Sequence, residues 1–176
     1  MKHILFLVFL CLSVQLNASD KHEHLTDLLH SFGDNGEYAK MDSVYKLITR
    51  EKHYREDKLY ALNNDLDYAR FLNQKGDYAK AYGLLTQTRE KASATENLSE
   101  KDSLYIHLQG IKAISTYEIA YGQWQNNQLP EARNTAAEAI KLLEQLKDSV
   151  NLAEAYNLSG VIHLSLIHIS EPTRPY

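Results

Sequence analysis

Ile114, Tyr117, Tyr121 and Trp124 stand at i, i+3, i+7 and i+10, which places them on one helix face. Three of the four are aromatic rings with a polar tip. Such side chains bury a large area at low rotamer cost and keep a hydrogen-bonding handle, which suits a partner-binding groove. The same stripe also suits a hydrophobic core, and both readings stand at this level. Arg70 carries a guanidinium able to pair with a carboxylate of a peptide or partner. His22, His24 and His30 gather near one end. His24 and His30 do not share a helix face, and no cysteine or carboxylate cluster completes a tetrahedral set, so we read a solvated helix end and no metal site. His107 and His163 are isolated and read as partly buried helix residues, and Asp65 and Asp67 as solvated helix faces. There is no G-x-S-x-G, no Gly-rich phosphate loop and no H-E-x-x-H, and nothing pairs a general acid with a general base. The expectation is a non-enzyme that needs no cofactor.

The elements that must position these residues are helices. Two near-identical pentapeptides, Gly36–Lys40 (G-E-Y-A-K) and Gly76–Lys80 (G-D-Y-A-K), lie 40 residues apart, each between two stretches of helical periodicity. A repeat of that length points to stacked helical hairpins, each covering its neighbour's apolar face. No segment alternates as strands do, Gly is scarce, and Pro130 is the first proline. Periodicity predicts about seven helices, near Lys21–Phe32, Glu37–Lys52, Asp57–Gln74, Asp77–Ala92, Glu100–Asn126, Pro130–Lys147 and from Asn151 onward. Gly36 and Gly76 can supply left-handed helix ends, Asp77 a cap, Ser99 with Asp102 a capping box, and Pro130 a first-turn proline.

The chain has 176 residues and a net charge of −4. Its ends read differently from its middle. Met1–Lys2–His3, the apolar run Ile4–Val14 and a small residue at Ala18 follow the order of a secretory signal peptide, so residues 1–18 are expected to be a leader cleaved after Ala18. The apolar run is too short to span a bilayer, which needs roughly 20 residues. Cys11, the one cysteine, would leave with the leader. The mature chain would then hold no disulfide, thiolate nucleophile or cysteine metal site, which fits a bacterial periplasm. Leu164–Arg174 (L-S-L-I-H-I-S-E-P-T-R) resembles the translation of a transposase adaptor used in sequencing libraries. Residues 164–176 are therefore expected to be a non-native tail, and the native protein to continue past His163. The last helix would then lack its partner, expose Tyr156 and Val161, and favour fraying or self-association. Residues 19–163 suffice for one helical domain. Without Lys2, Glu171 and Arg174, 17 basic residues face 22 acidic ones, a net charge of −5. That acidity argues against nucleic acid and anionic membrane surfaces as partners.

Within Leu25–His163 the residues resemble the tetratricopeptide repeat (TPR). The best unit runs from Leu62 to Lys91. It has Ala69 and Leu72 on the first helix, Gly76–Asp77–Tyr78 at the turn and Ala81 on the second helix. The unit before it carries Leu29, Phe32, Gly36 and Tyr38, with Met41 where alanine is usual. The unit after it carries Ala120, Leu129, Ala132, Ala136 and Ala139, and a last one begins at Ala153. Spacings of 40 to 51 residues, against about 34 in the family, mark a departure. The resemblance implies an all-α, TPR-like α-solenoid of antiparallel hairpins that binds a protein or peptide, another copy of the chain included. It implies that first helices line the binding face, which points to Asn63, Arg70, Asn73, Ile114, Tyr117, Tyr121 and Trp124. The alternative expectation is the periplasmic sensor portion of a membrane-spanning signalling protein, a histidine kinase or a DNA-binding regulator.

Overall fold

The computed structural model describes residues 18–94, 98–100 and 102–170, and all regular structure among them is helical. There are eight described helices: α1 (Ala18–Asp34), α2 (Tyr38–Ile48), α3 (Lys52–Glu56), α4 (Lys58–Lys75), α5 (Tyr78–Ser93), α6 (Ser103–Gln125), α7 (Leu129–Leu146) and α8 (Ser149–Ser170). The expected leader, apart from Ala18, and the end of the expected tail lie outside the described residues. The all-α expectation holds. One difference is α3, a five-residue helix that, apart from Lys52, fills the gap left between the second and third expected helices. Another is α6, which starts at Ser103, after a turn in which the Ser99 N–H donates to Asp102 at 2.8 Å. This is one half of the capping box expected there.

Four connections share one backbone device. Gly36, Gly76, Asn127 and Lys147 have φ of 68°, 86°, 58° and 56°. In each case the left-handed residue donates its N–H to the carbonyl three residues back: Gly36 to Gly33, Gly76 to Asn73, Asn127 to Trp124 and Lys147 to Glu144. The next residue donates five back: Glu37 to Phe32, Asp77 to Leu72, Gln128 to Gln123 and Asp148 to Leu143. This is the Schellman arrangement, and it pairs carbonyls that a helix end would otherwise leave unmet. The following residue also accepts the first bond of the next helix, as Asp77 does from Ala81 and Asp148 from Leu152. The chain therefore reverses without a loop, and hairpins result.

Three of the four turns, those at Gly36, Gly76 and Asn127, share a packing register, which the Lys147 turn lacks. Five residues past the left-handed position come Met41, Ala81 and Ala132, and twelve past it come Ile48, Thr88 and Ala139. Seven before it come Leu29, Ala69 and Ala120. All nine are fully buried. Small residues dominate these positions because closely crossing helices leave little room between them.

The chain divides into two compact units, residues 1–64 and 65–176. In the first, α1 packs on α2 through Leu25, Leu29, Met41, Val44 and Ile48. His22, expected to be solvated, instead stacks on His53 with ring centroids 4.4 Å apart, and Tyr60 donates its hydroxyl to the His22 carbonyl at 3.3 Å. Burial, and after it the neighbouring His53, lowers the His22 pKa.

In the second unit α5 packs on α6, α6 on α7, and α7 on α8, with a further contact from α6 to α8. Two clusters hold these helices together. Ala120, Ala132, Ala136, Leu158 and Ile162 form one, and Ala113, Leu143 and Ala155 the other. From Leu108 to Gly122, α6 is buried on nearly every side, with Ser115, Thr116 and Glu118 among its buried residues, so it shows no single apolar stripe. The far side of α8 leaves Tyr156, Val161, Leu164 and Ile167 exposed.

Candidate functional site

Helices α4 and α6 meet in the second unit through polar side chains. Arg70 donates from Nε to Glu118 Oε1 at 3.0 Å. Asn73 donates from Nδ2 to Glu118 Oε2 at 3.1 Å and to the Glu118 carbonyl at 3.0 Å. The Glu118 side chain is 8% exposed, whereas that of Arg70 is 44% exposed. Burial raises the Glu118 carboxyl above its ordinary pKa, and the Arg70 charge and the Asn73 hydrogen bond pull it back. Gly122, one helical turn beyond Glu118, lets Asn73 approach. A Cβ built there would lie 2.9 Å from Asn73 Oδ1.

Beside this cluster lies a cavity of ≈ 470 Å³. Asn73 and Glu118 form part of its wall, with Tyr78 and Tyr82 from α5, Gln123 from α6 and Glu131 from α7. Gln123 Oε1 is buried and has no hydrogen-bond partner. A buried acceptor without a partner costs free energy comparable to a lost hydrogen bond. Tyr82 is half exposed at the cavity rim. The wall offers carboxylates, amide oxygens and two phenol rings.

The expected site residues separate into groups. Arg70 and Asn73 come together, on Glu118, which sequence reasoning did not single out. The signal for Glu118 was weak: the one acidic residue of α6, on a helix otherwise rich in apolar and small residues. Tyr117, Tyr121 and Trp124 are half-buried and pack against the Ala120–Ala132–Ala136–Leu158–Ile162 cluster, so this stripe serves as the seam between helices of the second unit. The Tyr121 and Trp124 rings lie 5.8 Å apart, and Tyr121 accepts a hydrogen bond from Gln125 at 2.8 Å. Ile114 is half-buried on the same helix. Asn63 is exposed and belongs to the first unit.

Two other expectations change. Asp65 is buried, with Lys91 Nζ at 4.0 Å, and is no solvated face. His107 and His163 are exposed, each with Nδ1 2.7 Å from the carbonyl four residues back. Lys80 reaches back from α5 to the Tyr68 hydroxyl at 2.6 Å and lies over that ring, so the lysine of the second pentapeptide braces its own hairpin.

Among the described residues no group of three or more His, Cys, Asp or Glu side chains could hold a metal ion, and no helix is long and apolar enough to cross a membrane. Comparison with protein-family models, with curated proteins and with solved structures gives no match.

Proposed function

We propose that this chain is a non-catalytic, TPR-type scaffold that binds a protein or peptide segment outside the cytoplasm. The observation that carries the reading is the ≈ 470 Å³ cavity in the second unit, walled in part by the buried Glu118 and Asn73, with Gln123, Tyr78 and Tyr82 beside them. Its shape comes from helices anchored by the Arg70–Glu118–Asn73 bonds, so a partner would meet groups already in place and little ordering cost would fall on the scaffold. Its chemistry favours holding over reacting. The wall offers acceptors and rings, with no side chain poised as a nucleophile beside a base.

The repeated turn device and the buried register at Met41, Ala81 and Ala132 support the repeat reading. The leader-like start, Met1–Ala18, supports export.

Panning a random peptide display library against the whole chain tests this. Enriched peptides should bind saturably, and Tyr82→Ala or Glu131→Gln, both at exposed positions of the cavity wall, should weaken them without shifting thermal unfolding. Absence of any saturable peptide, or enrichment unaffected by both substitutions, would remove the cavity from the function. Export is tested separately by fusing Met1–Ser19 to a reporter active only in the periplasm.

A further inference from the structure

We propose that the start of α1 is an acid-released latch: stacked on His53, the His22 ring holds α1 against α3 and α4, and a proton on that ring undocks it. The device lies within the first unit and is independent of the binding reading above.

The start of α1 is tied to the segment from Glu51 to Asn64 by contacts centred on His22. The His22 and His53 rings stack with centroids 4.4 Å apart and 20° between their planes. The Tyr60 ring meets the His22 ring edge-on at 5.8 Å, and its hydroxyl donates to the His22 carbonyl at 3.3 Å. One residue earlier, Lys21 Nζ pairs with Glu51 Oε1 at 2.8 Å. One turn later, Thr26 donates from Oγ1 to Asn64 Oδ1 at 3.2 Å. Leu25 is the first buried apolar residue of α1 among the described ones. The turn before it therefore leans on polar and aromatic contacts, while the rest of α1 is held to α2 by Leu25 and Leu29. The start of the helix can let go without unfolding the unit.

A proton on His22 works against this docking. Its Nδ1 is buried and has no hydrogen-bond partner, and in the imidazolium both ring nitrogens are donors, so the docked ring would carry a buried N–H without an acceptor. The charge would also face His53, a second group able to charge in the same pH range, and two stacked imidazoliums repel. The surrounding groups give little relief. Glu51 is engaged by Lys21, Asp57 Oδ2 lies 3.7 Å from His53 Nε2, and the exposed Lys52 and Glu56 pair with each other. Tyr60, whose hydroxyl pKa is raised by burial, stays neutral. Burial and His53 lower the His22 pKa from the ordinary 6.5, against the pull of Glu51. The docked form thus binds fewer protons than the undocked one. Docking is at full strength above pH 6.5 and weakens as pH falls through that value toward the lower docked pKa.

The test is amide hydrogen exchange on the whole chain at about pH 8 and about pH 5, each rate referred to its intrinsic value at that pH. Protection at the start of α1 should fall several-fold on acidification, with α6 as the unchanged internal reference. His22→Phe keeps a ring on His53 and takes no proton, so its α1 should stay protected at the acid end. Where that variant fails to dock even at about pH 8, NMR titration of the wild-type His22 ring decides: it should titrate below 6.5, and His53→Gln should move it up. Equal protection of the wild type at both pH values overturns the proposal. So does an acid-induced loss in His22→Phe that matches the wild type, or a His22 ring that titrates at or above 6.5.

Discussion

Arg70 Nε lies 3.0 Å from Glu118 Oε1, although 48 residues separate them in the chain. The carboxylate is buried and the guanidinium is nearly half in water. Desolvation falls mainly on Glu118, and Arg70 and Asn73 offset it. The pair therefore acts chiefly to prevent a cost, and its worth appears when one partner is removed.

Arg70→Ala should destabilise the protein by about 1–2 kcal/mol. A fully buried pair would lose about 3–5 kcal/mol, but water already reaches Arg70 and screens the interaction. Urea unfolding at neutral pH checks this, and an unchanged midpoint would mean that water replaces the guanidinium without penalty.

Gly122→Ala sets two effects against each other. Alanine gains about 1 kcal/mol in a helix interior over glycine. The new Cβ, however, would sit 2.9 Å from Asn73 Oδ1. Asn73 is held by two bonds to Glu118 and cannot simply rotate away. Overpacking of this kind costs roughly 1–3 kcal/mol, so the single variant should be neutral to destabilising. In an Asn73→Ala background the obstructing atom is gone, and the same change should stabilise by up to about 1 kcal/mol. Additive effects in the double-mutant cycle would show that the two residues do not couple.

Lys147 occupies the left-handed position that Gly36 and Gly76 occupy in two other turns, with φ of 56°. A side chain there costs roughly 1 kcal/mol, and glycine returns part of that gain as unfolded-chain entropy. Lys147→Gly should stabilise by about 0.5 kcal/mol, read as a raised melting temperature. A lowered melting temperature would point to a role for the lysine side chain itself.

Glu118 also predicts a pH dependence. Its folded pKa is raised above the ordinary 4.5, so the folded state binds more protons than the unfolded chain between the two values. Its contribution to stability is fully present below the unfolded pKa and is lost as pH rises through the folded one. Glu118→Gln removes this component. The stability of the wild type minus that of the variant should fall across the window, and parallel profiles would contradict it.

Tyr117 gives the alkaline counterpart. Burial, and after it the Glu118 charge, pushes its hydroxyl from 10.0 up to about 12. Stability present below pH 10 should be lost as pH rises from 10 to about 12. Tyr117→Phe should lack that loss, and an equally steep alkaline decline in both proteins would assign it elsewhere.

Much of the architecture was legible beforehand because its causes are local. Glycine takes left-handed angles without steric cost, so Gly36 and Gly76 at breaks in the helical pattern mark helix ends, and apolar residues every three or four positions make a helix face. The site was less legible. Arg70 and Asn73 were found, but as groups open to a partner, whereas both bond to Glu118 and only Arg70 stays partly in water. Tyr117, Tyr121 and Trp124 were found as a stripe, and the stripe faces α7 and α8. Asp65 looked like surface and is buried. A helical pattern says which residues share a face and is silent on what covers that face.

By itself, the sequence determined the helices, their reversals at Gly36 and Gly76 and the small-residue register that lets hairpins stack, since these follow from backbone angles and side-chain periodicity within a few residues. Tertiary structure alone decided that Glu118 is desolvated, that Asn73 and Arg70 hold it, and that a cavity opens beside them. Desolvation and pairing depend on groups brought from tens of residues away, and no local pattern encodes which ones arrive.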